Sequence, residues 1–162
     1  MLRLYTYFRS SASYRVRIAL ALKGLAYESK PIHLVRNGGE QHSADFAALN
    51  PAQLVPVLQD GDTVISQSLA ILEYLEETHP TPALLPKTAA DRAHVRAMAQ
   101  LIACEIHPIN NLRVLQYLER ELHHDTPTRN TWYAHWVDEG FAALETMLGR
   151  SAGQFCHGDQ PS

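Results

Sequence analysis

The sequence predicts a small α/β domain built on a mixed sheet, followed by an all-helical domain. Three observations carry this reading. Strand-like runs stand at residues 2–7, 27–34, 57–59 and 63–66. Helical periodicity fills the gaps at 14–23 and 69–78. After Thr88 no strand signal returns for about sixty residues, and the chain is helical in period almost throughout.

The first run alternates apolar and polar side chains with period two and reads as a strand. A polar turn, Arg9-Ser10-Ser11-Ala12-Ser13, leads into a helix over 14–23 that stops at Gly24, a C-cap signal. Val16, Ala19 and Leu20 form one apolar set on this helix, and Ile18, Ala21 and Leu22 form another, so it is expected to be covered on two sides. A strand over 27–34 then completes a β-α-β unit, which should be parallel and right-handed. Gly38-Gly39 marks a mobile loop, and 43–49 a short helix. Asp60-Gly61-Asp62 between two short strands is a hairpin signal. Ser68 stands where the N-cap of the next helix, 69–78, belongs, with Ile71, Leu72 and Leu75 as its apolar stripe. Proline-rich 79–86 breaks the pattern and sets the expected organisation: a domain at 1–80, a linker at 81–87, and a helical domain at 88–162. In the latter, Pro108 interrupts a helix over 89–122. Thr126-Pro127 opens another, whose core stripe is Trp132, Trp136, Leu144, Met147 and Leu148.

Bulk properties exclude several functions. Apolar residues make up 46% of the 162 and charged residues 19%, with a formal charge of −3 and no basic run, which argues against nucleic-acid binding. No apolar run is long enough to cross a membrane, and the first residues lack a signal-peptide core. Two cysteines, Cys104 and Cys156, are too few for a disulfide framework, which points to a reducing cytoplasmic compartment. The nine histidines show no ligand spacing, so no metal site is expected; Cys104 reads as a small core residue.

The chemistry concentrates at helix beginnings. A turn joining a strand to a helix N-terminus offers unpaired N–H groups and a favourable dipole to an anion. It would also lower the pKa of a thiol from about 8.5. No cysteine stands there, so a thiol would have to come from a ligand; Ser10, Ser11 and Ser13 serve equally well as caps. Val55-Pro56 enters a strand directly from a loop, a placement that raises the odds of a cis bond above the general rate of roughly 5%, and a cis bond is expected there. Gln67-Ser68 is a second helix start, and two converging helix N-termini suit a ligand with several carboxylates. His107-Pro108-Ile109-Asn110-Asn111-Leu112-Arg113 places polar groups at a bend, as a solvated kink or a pocket.

Ser10-Ser11-Ala12-Ser13-Tyr14-Arg15-Val16-Arg17-Ile18-Ala19-Leu20 resembles the Ser-Ser-Cys-Ser-Trp-Arg-Val-Arg-Ile-Ala-Leu signature of zeta-class glutathione transferases. The resemblance continues through Asn50-Pro51, Val55-Pro56, Gln67-Ser68-Leu69-Ala70-Ile71 and Leu84-Leu85-Pro86 into His107-Pro108-Ile109-Asn110-Asn111, the last most like bacterial maleylpyruvate isomerases. It implies a thioredoxin-like first domain, a helical second domain, a homodimer, and a glutathione-dependent cis–trans isomerase of maleylpyruvate or maleylacetoacetate. It implies glutathione contacts at Ser10, Ser11, Gln41, Val55, Gln67, Ser68, His107 and Asn111, with Ser10 or Ser11 facing the sulfur. Arg9, Arg15 and Arg113 become the candidates for substrate carboxylates, though Arg15 also reads as an ion-pair partner within its helix. Ala12 departs from the usual cysteine, which removes a thiol beside the reacting centre. A conjugating transferase or dehalogenase, or a binding protein that has lost its chemistry, are the rival readings. In the family a Gly-Asp-x-x-Thr/Ser segment opens a further buried helix. The chain stops at Gly158-Asp159-Gln160-Pro161-Ser162, after an extended 154–156, so the resemblance implies an incomplete protein with Trp136, Leu144 or Met147 partly bare.

Overall fold

Alternation in the first strand sorts its side chains onto two faces. Leu2 and Leu4 turn to one face and Tyr5 to the other, and this division organises the first half of the chain. The computed structural model describes residues 1–162 as two compact units, Met1–Leu84 and Leu85–Ser162. In the first, β1 (Leu2–Thr6), β2 (Tyr27–Pro31), β3 (Val57–Asp60) and β4 (Thr63–Ser66) make one sheet in the order β2-β1-β3-β4. β1 pairs parallel with β2, while β3 runs antiparallel to both β1 and β4. Two helices, α1 (Ser11–Leu22) and α3 (Ser68–Thr78), bury Val16, Ala19, Leu20, Ile71 and Leu75 against Leu2, Leu4 and Leu58. A short helix, α2 (Ala44–Leu49), brings Phe46 to a second cluster with Tyr7, Val55 and Val57.

Several local expectations shift. α1 begins at Ser11, three residues before the expected start at 14, because Ser10 caps it: the Ser10 hydroxyl accepts from the Ser13 N–H at 3.1 Å. The second apolar set of α1 is not covered; Ile18 and Leu22 are exposed. α1 ends as expected, with Gly24 at φ 66° and the Leu25 N–H closing on the Leu20 carbonyl. The Gly38-Gly39 loop is two 3₁₀ turns, Arg36–Gly38 and Glu40–His42, tied back by the Glu40 carboxylate accepting from the His33 N–H at 2.6 Å. The hairpin turns at Gly61, φ 57°.

Arg15 donates to the Ser68 hydroxyl at 2.8 Å, and eight residues on Lys23 meets Glu76, eight past Ser68, at 2.7 Å. Equal steps in the same direction mean that α1 and α3 run parallel. Lys23 is fully buried at its side chain, and its ammonium also donates to the carbonyls of His79 and Pro82, using all three of its protons. Glu76 in turn accepts from the Leu84 N–H, so the proline-rich 79–84 segment is fastened to the helix pair.

The second unit is helical: α4 (Ala89–Gln100), α5 (Leu112–Arg120) and α6 (Thr126–Ser151). Pro108 is preceded by a π-helical segment, Leu101–Ile106, and forms the first residue of a 3₁₀ turn, Pro108–Asn110. A proline ring crowds the carbonyl four residues back, and the wider turn relieves this. Cys104 continues the exposed stripe of Ala93, Ala97 and Gln100, at steps of three and four residues, where a core position was expected. Asp125, one residue ahead of the expected Thr126, caps α6 by accepting from the Thr128 N–H at 2.9 Å. On α6, Trp132, Trp136, Leu144, Met147 and Leu148 are half-buried. Residues 154–158 form tight turns in place of an extended run, since the Phe155 N–H bonds to the Gly158 carbonyl and the Gly158 N–H to the Ser151 carbonyl.

Candidate active site

Strand register collects the first unit's candidate residues at one end of its sheet. Thr6 pairs with Pro31, Tyr5 with Val57, and Val57 with Ser66. The segments that follow β1, β2 and β4, and the one that precedes β3, therefore all leave from the same edge. Those segments carry Ser10 and Ser11, Gln41, Gln67 and Ser68, and Val55. Parallel packing of α1 and α3 sends both helix N-termini to this end as well, offset by about one turn, or roughly 5 Å.

Each group has a definite local setting. The Ser10 N–H donates to the Tyr7 carbonyl at 3.0 Å and closes the turn between β1 and α1. Its hydroxyl accepts from Ser13 and keeps its own proton for another acceptor. Ser11 is exposed at the first position of α1. Together with Phe8, Arg9, Tyr14 and Arg17 these serines line an open depression of about 350 Å³. Val55 is buried and precedes a cis peptide to Pro56, as expected; neither its N–H nor its C=O is hydrogen-bonded within the chain. Asn50 shapes the approach, donating to the Leu54 carbonyl and accepting from the Ala52 N–H.

Gln67, not Ser68, is the N-cap of α3, and its side chain makes no capping bond. Ser68 is the first helical residue, with its hydroxyl engaged by Arg15. The first-turn amides of α3 are thus uncapped and directed at the sheet end. Gln67 sits at φ 70°, ψ 119°, a conformation costing a non-glycine residue roughly 1–3 kcal/mol and concentrated at functional sites. Gln41 is buried, and its Oε1 has no partner. Gly39, at φ 108°, leaves room for it: a Cβ there would lie 2.5 Å from the Gln41 Nε2.

Of the arginines, Arg9 is exposed at the depression, whereas Arg15 spans from α1 to α3, where it donates to the Ser68 hydroxyl. His107, Asn111 and Arg113 lie in the second unit. His107 ends the π-helical segment, Asn111 caps α5 by accepting from Val114 at 3.2 Å, and Arg113 is exposed in the first turn of α5. Sequence reading passed over Arg17, although Ser10, Tyr14 and Arg17 fall at i, i+4 and i+7 on one helix face.

No helix is long and apolar enough to cross a membrane. Residues 1–77 match the family described as glutathione S-transferase, N-terminal domain. A probable maleylacetoacetate isomerase of Vibrio cholerae is 55% identical over 98% of this chain and 74% of its own length. A maleylpyruvate isomerase of Ralstonia is 48% identical over 99% of this chain and 76% of its own. Among solved structures, a holo maleylpyruvate isomerase described as a bacterial zeta-class glutathione S-transferase superposes with a TM-score of 0.94 at 46% identity, over 99% of this chain and 76% of that one. A maleylacetoacetate isomerase of Methylobacterium extorquens with bound malonate and glutathione gives 0.93 at 42% identity, over 99% and 75%. This chain belongs to the zeta-class glutathione transferases, the family that includes the maleylacetoacetate and maleylpyruvate isomerases.

Proposed function

We propose that this protein is a glutathione-dependent cis–trans isomerase of maleylacetoacetate or maleylpyruvate, acting in the cytoplasm as a homodimer. The observation that carries the reading is the convergence of two helix N-termini and an unpaired backbone segment at one end of the sheet. These features fit glutathione group by group. The uncapped amides of α3, at Gln67-Ser68, suit the γ-glutamyl carboxylate. The free N–H and C=O of Val55 suit the cysteinyl backbone, and the unpartnered Gln41 Oε1 suits a donor on the tripeptide. When bound, glutathione supplies a thiolate that adds to the conjugated double bond, lets it rotate as a single bond, and is expelled to leave the trans isomer.

The chain's own work is electrostatic. The α1 N-terminus favours the anionic sulfur over the thiol, and the Ser10 or Ser11 hydroxyl donates a hydrogen bond to it. Charge that moves onto the substrate's ketone oxygen needs a donor, and the substrate's carboxylates need cations. Arg9 is the first-unit candidate for a carboxylate and Arg113 the second-unit one. Arg15 is a positioning residue, holding Ser68 and with it the start of α3. His107 and Asn111 are assigned to glutathione by family likeness, with the Asn111 carbonyl oxygen already given to its helix cap.

The test is a glutathione-dependent loss of maleylacetoacetate or maleylpyruvate absorbance, run beside chlorodinitrobenzene conjugation and with light scattering for the dimer. Isomerisation that needs glutathione supports the reading. Conjugation without isomerisation would assign the site to a transferase, and glutathione binding without either reaction to a binding protein.

A further inference from the structure

We infer that Arg17 is a second positioning residue of this site, fixing the turn that presents Ser10 and adding positive charge beside it. The inference rests on the proposed function, because it concerns how the same site holds a thiolate. The Arg17 guanidinium reaches back from the second turn of α1 to three oxygens at the end of β1. It donates to the Thr6 hydroxyl at 3.0 Å, to the Tyr7 carbonyl at 3.2 Å and to the Phe8 carbonyl at 3.4 Å. The Tyr7 carbonyl is the one that also accepts from the Ser10 N–H. A single carbonyl oxygen therefore carries both the bond that closes the turn and the bond that anchors it to the helix.

This arrangement constrains the turn from two directions. Thr6 and Tyr7 are buried, at 5% and 8% exposure, and Tyr7 packs beside Val55, so the strand side of the turn is rigid. Arg17 ties the helix side to it. Without that tie, the exposed Phe8 and Arg9 keep the Ser10 closure as their only backbone bond within the turn, beside the contacts of the Phe8 ring with Tyr7 and His33. The guanidinium also lies over the Tyr14 ring, 5.3 Å from its centroid, which holds its plane in place. It lines the same depression as Ser10, Ser11 and Arg9, so its charge adds to the α1 dipole where an anionic sulfur would sit. Lysine would concentrate its donors on one nitrogen, whereas the planar fork of arginine spreads them over two: Nη1 serves Thr6 and Tyr7, and Nη2 serves Phe8.

The experiment compares wild type with Arg17→Gln and Arg17→Lys. Glutathione affinity is read by calorimetry, ionisation of the bound thiol by ultraviolet absorbance against pH, and kcat and KM with the isomerisable substrate. Arg17→Gln is expected to raise the pKa of the bound thiol by about one pH unit and to lower kcat about tenfold at neutral pH, with KM for the substrate unchanged. Arg17→Lys is expected to recover part of both, since it keeps the charge. A folded Arg17→Gln protein whose bound thiol titrates as in wild type would overturn the inference and leave the proposed function intact. Should the glutamine variant fail to fold, the lysine variant decides: wild-type titration and kcat there would remove the need for the fork and refute the assignment. Wild-type protein that binds no glutathione would overturn the proposed function and this inference together.

Discussion

Replacing Ser10 separates two jobs that this geometry gives to one hydroxyl. The Ser10 oxygen caps α1 through the Ser13 N–H, at 3.1 Å, and its proton is available to a bound thiolate. Ser10→Ala removes both. The lost cap costs about 1 kcal/mol, a fall of roughly 4 °C in melting temperature for a unit of this size. The lost hydrogen bond to a charged sulfur costs roughly 1.5–3 kcal/mol, a tenfold to hundredfold fall in turnover. Ser10→Asp keeps a capping oxygen but has no proton to give at neutral pH and sets a negative charge against the sulfur. It should melt at or above the wild-type temperature while losing more activity than the alanine variant. Thermal melts by circular dichroism and steady-state isomerisation at fixed, saturating glutathione make the comparison. An aspartate variant that isomerises at the wild-type rate would refute the reasoning and leave Ser10 as a cap alone, with Ser11 carrying the sulfur contact.

Three further outcomes follow from particular contacts. Gly140→Ala should destabilise the protein in urea denaturation, although alanine normally stabilises a helix interior by about 1 kcal/mol over glycine, because the new Cβ would collide with the Ile106 side chain; a stabilised variant would show that Ile106 yields. Gln67→Gly should relieve the backbone at φ 70° and raise stability by about 1 kcal/mol while weakening glutathione binding in calorimetry, and unchanged affinity would remove Gln67's side chain from the site. The Asp125 carboxyl is held below the usual carboxylate range, first by the Thr128 hydroxyl and then by the Thr128 N–H, so its support for α6 is present above that range and lost as pH falls through the lowered value. Asp125→Asn should therefore flatten the acid side of the melting-temperature profile, and an unchanged slope would show that the cap does not titrate with folding.

What the sequence disclosed, and what it withheld, divides by the distance over which each feature is decided. The hairpin at Gly61 and the Gly24 stop of α1 are set by residues within a few positions, and both stand where the residue types indicate. The errors at helix starts are local as well, but ambiguous in kind. Serines 10, 11 and 13 are equally good turn residues and first-turn residues, so which one caps depends on where the turn closes, and that is fixed by Tyr7. Ser68 looked like a cap for the same reason, until its hydroxyl is seen to be taken by Arg15. Cys104 is exposed because it shares a helix face with Ala93, Ala97 and Gln100, opposite Val95 and Met98, and the small or uncharged residues of that face do not mark it as the solvent side.

The gathering of the site was legible in a different way. Individual serines, Val55-Pro56 and Gln67-Ser68 each pointed weakly to a ligand, and only their convergence made the case. That convergence needs α1 and α3 to be parallel and in step. Apolar packing of Val16, Ala19 and Leu20 with Ile71 and Leu75 holds the two helices together, and two polar contacts mark their register, Arg15 to Ser68 and Lys23 to Glu76, each spanning 53 residues. Neither pair carries a signal in a window of helical length, since an arginine and a serine, or a lysine and a glutamate, are ordinary solvent-facing residues. Read together after folding, their equal separation is a register mark: advance eight residues on one helix, and the partner advances eight on the other. Breaking the buried Lys23–Glu76 pair would leave a charge without its partner, at a cost of about 3–5 kcal/mol, while the apolar face between the helices stayed in place. A two-ended ligand needs the interval between the two helix N-termini as much as it needs the amides themselves. The buried Lys23–Glu76 pair, at the far end of both helices, supports that interval together with the apolar face between them.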